Sequence, residues 1–160
     1  MICRMRALLP VRTLMLLLLP ALLSCASSPR SPRGSVILPS ASPIANQCSR
    51  PAPPQHESTW QPEPEDIRAL EMRLGTLERM KARGCCLLGA RIRHIEHYYL
   101  QYVGIVSRGR RLIYINGFED DSPDWRTALV SACDGGEGFW GAVFDPATGR
   151  FSDLAFNGPG

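Results

Sequence analysis

The chain has 160 residues, a size suited to one domain, and a formal charge of +3. That excess disappears once Arg4, Arg6 and Arg12, which precede the only long apolar run, are set aside. The remainder is formally neutral, which excludes a general nucleic-acid binder, since such a protein would carry a clear basic excess.

Residues 1–24 read as an export signal. A positive start is followed by "LMLLLLPALL", about ten apolar positions where a membrane-spanning helix needs about 20, and Pro20 interrupts the run. The end of this segment, Leu22-Leu23-Ser24-Cys25, resembles the lipobox of bacterial lipoproteins. The resemblance implies a diacylglycerol on the Cys25 sulfur, cleavage just before that residue, and acylation of the new amino group. Multiple acyl chains anchor a protein stably. Ala26, not Asp, follows the cysteine, which by the same resemblance implies the outer membrane rather than retention at the inner one, with the domain facing the periplasm. The alternative is an ordinary secretory signal cut after Ala26, which releases a soluble protein.

Residues 25–60 are rich in Pro, Ser and Ala, with no apolar period, and the stretch 26–64 holds nine prolines. Such a composition predicts a disordered or extended tether. Within it, "SVIL" is an apolar island able to dock, Trp60 packs at the domain boundary, and His56 has no assigned role.

Residues 61–160 form the predicted domain. "PEPEDIRALEMRLGTLERMKARG" predicts one amphipathic helix. Pro62 and Pro64 suit its start, Gly84 its stop, and Ile67, Leu70, Leu74 and Leu77 make one apolar stripe. "RIRHIEHYYLQY" fits either a short second helix or the approach to a strand. "HYYLQYVGIV", "RRLIYINGF", "ALVSA", "GFWGAVF" and "RFSDLAF" are rich in aromatic and β-branched residues and predict strands. "SRGR", "DGGEG" and "DPATG" supply turns between them. The predicted class is α+β: a helix, with or without a short second one, on an antiparallel meander of four or five strands. In outline this is similar to the cystatin-like and PepSY-like helix-on-sheet domains of bacterial envelopes. "FWGAVFDPATGRFSDLAFNG" resembles the closing hairpin of small envelope proteins that have no settled activity to transfer.

Four cysteines remain after Cys3 and Cys25 are assigned to the signal and the lipid: Cys48, Cys85, Cys86 and Cys133. In an oxidising compartment they are disulfide candidates. A bridge between the adjacent Cys85 and Cys86 would strain the peptide, so one of them reaches Cys133 and the other Cys48. The adjacent pair lacks the two-residue gap of a zinc knuckle. His94 and His97, near Glu96, read as surface histidines, although on a helix they would share a face. Asp134 is a turn residue in "CDGGEG" or, on the rival reading, a general base. The acidic loop Glu119, Asp120, Asp121 and Asp124 does not match a calcium loop.

The one local charge asymmetry is Arg91, Arg93, Arg108, Arg110 and Arg111 among Tyr98, Tyr99, Tyr102 and Tyr114. It is the candidate binding surface, for anionic headgroups, a glycan or an acidic protein face; the alternative is that arginines at a hairpin tip keep sheet edges from aggregating. No catalytic residue, metal or cofactor is assigned beyond the lipid on Cys25. The reading is a non-enzymatic envelope lipoprotein that binds a partner, an envelope protein or a glycan. The alternatives are a small envelope enzyme using Asp134, a histidine or a free cysteine, and a protease-inhibitor-like domain.

Overall fold

Four runs of aromatic and β-branched residues become the long strands of a computed structural model that describes residues 30–40, 44, 47, 49–51, 53–84 and 86–160. The signal segment, Cys25, Cys48 and Cys85 lie outside the described residues. The elements run β1 (Gly34–Ile37), β2 (Ser58–Trp60), α1 (Pro64–Glu71), α2 (Leu74–Leu77), β3 (Tyr99–Ser107), β4 (Arg110–Phe118), β5 (Phe139–Asp145) and β6 (Arg150–Phe156). The protein is α+β.

β3 to β6 form an antiparallel meander, as their sequences predict. Arg108 and Gly109 turn the first hairpin with φ of 51° and 70°, the left-handed pair that matches strand twist. Asp145 to Gly149 turn the second: the Gly149 N–H donates to the Asp145 carbonyl at 2.8 Å. Strand alternation then sorts the side chains. Leu100, Tyr102, Ile113, Ile115, Trp140, Phe144 and Phe156 share one cluster with Ile67, Leu70, Leu74 and Leu77 of the helices. The predicted stripe is therefore the helical half of the core. Each such side chain, fully buried, contributes about 1.5–3 kcal/mol.

The helix is shorter than predicted. Pro64 opens it and the Asp66 carboxylate accepts the Glu63 N–H at 3.0 Å. It breaks at Met72–Arg73 and resumes for one turn, so 78–84 is not helical. Gly75 and Thr76 are weak helix formers placed where the helix would continue. The leucines still reach the core because the break preserves their facing. The ambiguous segment before β3 resolves as a single 3-10 turn, Ile95–His97.

The sheet is mixed, and the reason lies in the stretch predicted to be a tether. β1 pairs in parallel with Tyr99–Tyr102, and β2 pairs antiparallel with Gly104–Val106, end to end along the outer edge of β3. Both are proline-free stretches inside a proline-rich segment, and composition averaged over that segment hides them. Leu38, from the apolar island, is fully buried. The expectation of a disordered chain over 25–60 therefore fails at these residues. Gly104 makes the second pairing feasible: a Cβ there would land on the Trp60 carbonyl oxygen.

"ALVSA", predicted as a strand, is irregular. Its backbone is hydrogen-bonded by side chains of the sheet instead of by a neighbouring strand. Gln101 donates to the Ala128 carbonyl at 2.7 Å and accepts the Val130 N–H at 2.9 Å. Asn116 donates to the Val130 carbonyl at 2.8 Å, and Asn157 to the Ala132 carbonyl at 2.7 Å. These amides belong to the sheet face opposite the helices. On that face Arg50, 4% exposed, donates to Asn157 at 2.7 Å, to the Tyr114 hydroxyl at 3.2 Å, and to Asn116. Burial raises the Tyr114 pKa, and the adjacent Arg50 partly offsets that rise. The guanidinium is thus buried among neutral acceptors.

Asn116 joins both covering segments to the sheet. Asn116→Ala leaves Arg50 and the Val130 carbonyl short of a partner, each at about 1–3 kcal/mol. The variant is expected to lose about 2–4 kcal/mol, read as a lower midpoint in urea with an unchanged slope. A loss below about 0.5 kcal/mol, the level of an ordinary surface substitution, would contradict the network's role.

Candidate functional site

The two hairpin turns lie at one end of the sheet, and the segment Pro54–Glu57 runs past them to enter β2. Together they enclose a groove of about 740 Å3. Leu112 and Ser107 are its nearly buried floor. Glu57, Arg108, Arg110, Asp145 and Asp153 are its charged walls, with His56 at the rim. Across the Arg110–Asp145 ion pair lies a second hollow of about 400 Å3, bounded by Trp60, Asp66, Arg111 and Pro146.

Each wall has a local cause. The Ser107 hydroxyl donates to the Gln55 carbonyl at 2.7 Å, which fastens the incoming segment. Glu57 accepts the N–H groups of Arg108 at 2.7 Å and Gly109 at 3.3 Å, the donors that a tight left-handed turn leaves unused. The Trp60 indole donates to the carbonyls of Ile105 at 3.1 Å and Leu112 at 3.0 Å, and Arg111 lies over its ring at 5.2 Å. Asp145 is 6% exposed. Burial alone would raise its pKa. Hydrogen bonds from Thr148, Arg110 and the Ala147 N–H outweigh that and hold the carboxyl below the ordinary value of 3.8. Asp153 sits where the β5–β6 register slips, with φ of 54°.

The candidate binding surface read from the sequence is not one surface. Arg108, Arg110 and Arg111 gather at the hairpin end. Arg91 and Arg93 are exposed just ahead of the opposite end of β3, about 26 Å away at about 3.3 Å per residue. The tyrosines do not interleave with them. Tyr98 is buried and donates to the Glu137 carbonyl at 3.1 Å; burial first, and then Glu119, push its pKa up. Tyr102 is buried and donates to Glu71 at 3.0 Å. Tyr99 packs against Trp125, with ring centres 4.9 Å apart, under Arg33. The physical reason is strand alternation, which turns these aromatics into the core and its covers. Nor is the hairpin end purely cationic: Glu57, Asp66, Asp145 and Asp153 balance its arginines.

The other nominated groups lie elsewhere. Cys86 and Cys133 are disulfide-bonded, and the Cys86 sulfur rests 3.0 Å from the Ser49 carbonyl oxygen. The connectivity with Cys48 and Cys85 lies outside the described residues. The exposed Asp134 precedes Gly135 and Gly136, whose φ values of 102° and 53° make the turn that Asp-Gly-Gly predicts. His94 and His97 stack with ring centres 5.2 Å apart, and His94 contacts Glu96 at 3.2 Å. Among the described residues no group of three or more His, Cys, Asp or Glu is placed to hold a metal. Glu119, Asp120, Asp121 and Asp124 are exposed. Sequence reading missed His56, Glu57, Asp145 and Asp153 as partners in one groove. Asp145 alone left a signal, as the first residue of the DPATG turn.

Because its folded pKa is depressed, Asp145 contributes stability that is present above its unfolded value and lost as pH falls through the folded one. Asp145→Asn is expected to be less stable than the parent near about pH 6, with the gap closing as pH falls below about 4. Urea titrations of both proteins across this range check the sign. A gap that stays constant would contradict it.

Comparison with protein-family models, with curated proteins and with solved structures finds no match to the chain.

Proposed function

We propose that the chain is a non-enzymatic binding module of the bacterial envelope, lipid-anchored through Cys25 and presenting the hairpin-end groove to a partner. The observation that carries the binding role is the groove itself. Three separate chain segments build it, and two hydrogen-bonded carboxylates, Glu57 and Asp145, fix its walls. The lipobox-like end of the signal supports the anchor, and the outer membrane is its proposed site. The disulfide-bonded state of Cys86 and Cys133 suits an oxidising compartment such as the periplasm.

The partner is a protein or peptide. A polyanionic glycan or a lipid headgroup surface would demand a single-sign cationic face, and here carboxylates alternate with the arginines. An enzyme built on a cysteine loses support at Cys86 and Cys133, since a disulfide sulfur offers no thiolate. β1 begins at Gly34, so only eight residues separate the sheet from Cys25. They span at most about 30 Å, which would hold the module close to its membrane.

Cys25→Ala should shift the protein from the membrane to the soluble fraction and abolish labelling by a palmitate analogue. An unlabelled, soluble parent would sink the anchor. A photo-crosslinking residue in place of Gln55, an exposed residue that lines the groove, should give a discrete adduct in intact cells. Its absence, with an adduct from an exposed position on α1, would move the recognition surface away from the groove.

A further inference from the structure

Among the described residues, three non-glycine residues have left-handed backbone, and two of them, Arg108 and Asp153, line the 740 Å3 groove. An L-residue in that conformation costs free energy, and such outliers cluster where a site needs a side chain aimed in a particular way. Asparagine or glycine is the ordinary choice at the Arg108 position of this turn. Asp153 is held there by the slipped register against Gly141 and Val143.

These same two residues carry the groove's unpaired charges. Arg110 and Asp145 neutralise each other. Glu57 is engaged by two backbone N–H groups. The Arg108 guanidinium has no partner among the described residues. The Asp153 carboxylate has one, the Ser152 hydroxyl at 2.7 Å. His56 stands at the rim with Nδ1 3.4 Å from the Pro54 carbonyl oxygen. The groove thus offers one cation, one anion and the apolar floor of Leu112. Its volume falls in the range of small-molecule sites, about 300–1,000 Å3.

We propose that this groove binds a short zwitterionic peptide, its carboxylate on Arg108 and its ammonium on Asp153. The assignment rests on the reading of the chain as a binding module and names the ligand class of the same site. A guanidinium takes a carboxylate through two parallel hydrogen bonds, and a carboxylate takes an ammonium through charge-assisted ones. Both charges of the ligand are then matched, and neither wall is left with a desolvated charge.

The test uses the full chain in detergent and trialanine as the probe, free at both ends, amidated at the carboxyl end, or acetylated at the amino end. Free trialanine should bind, and either cap should weaken binding by at least about tenfold. Arg108→Asn should bind the free and amidated forms alike while still rejecting the acetylated one. Asp153→Asn should do the reverse. Asparagine tolerates left-handed backbone, so both variants should melt at or above the parent temperature, and any loss of binding reads on the site. Equal binding of free and capped trialanine overturns the assignment, and so does no measurable binding. The crosslink at position 55 reports on the binding module independently. A discrete cellular adduct without trialanine binding would overturn the ligand class alone.

Discussion

A strand in the middle of a sheet must hydrogen-bond along both edges, and β3 meets that demand in an unusual way. One edge takes all nine residues of β4. The other is divided between two short strands, β1 running parallel and β2 antiparallel. The two strands meet head to head, β1 ending beside Tyr102 and β2 beside Gly104, so the chain between them cannot return by a hairpin. Residues 38–57 leave the edge at the middle of β3 and come back to it beside Val106. Ile44 and Arg50 of this crossing pack on the sheet face that the helices leave open. Its last four residues become a wall of the groove. The groove is therefore a consequence of how the β3 edge is filled.

The two faces of the sheet are closed by different physics. The helix face is an apolar core in which Ile67, Leu70, Leu74 and Leu77 meet Trp140 and Phe156. The opposite face carries a smaller apolar cluster around Ile105, Leu112, Tyr114 and Val143, and the packed rings of Tyr99, Phe118 and Trp125. Its coverings are irregular chain, whose backbone groups would be orphaned if buried on leucines. Gln101, Asn116 and Asn157 satisfy those groups, and Arg50 binds the crossing segment to the same amides. Buried amides hydrogen-bonded on several sides specify one arrangement of chain, because a slip leaves several polar atoms unpaired at once.

Much of this was legible in the sequence, and what was not has a common cause. The apolar stripe of the helix, the four long strands and both hairpin turns follow from local periodicity and turn chemistry, and each appears at its residues. The failures are non-local. "SVIL" and "STW" are too short to read as strands alone, and they become strands because β3 offers an unpaired edge. "ALVSA" has strand composition, but Gln101 and Asn116 occupy its backbone groups from the sheet. The arginine cluster was a proximity in sequence that nine extended residues of β3 pull apart. Asp153 joins the groove through a register slip that no residue pattern announces.

The central claim is that the segment before Trp60 is folded onto β3. Amide hydrogen exchange at single-residue resolution tests it most directly. The Leu38 N–H donates to the Tyr102 carbonyl, and the Glu57 N–H to the Val106 carbonyl, at 2.9 and 2.8 Å. Both amides should exchange orders of magnitude more slowly than an exposed peptide, with protection approaching that of β3 and β4. Free exchange at Leu38 and Glu57 while β3 and β4 stay protected would mean that the edge is open, the crossing segment undocked and the groove without its wall.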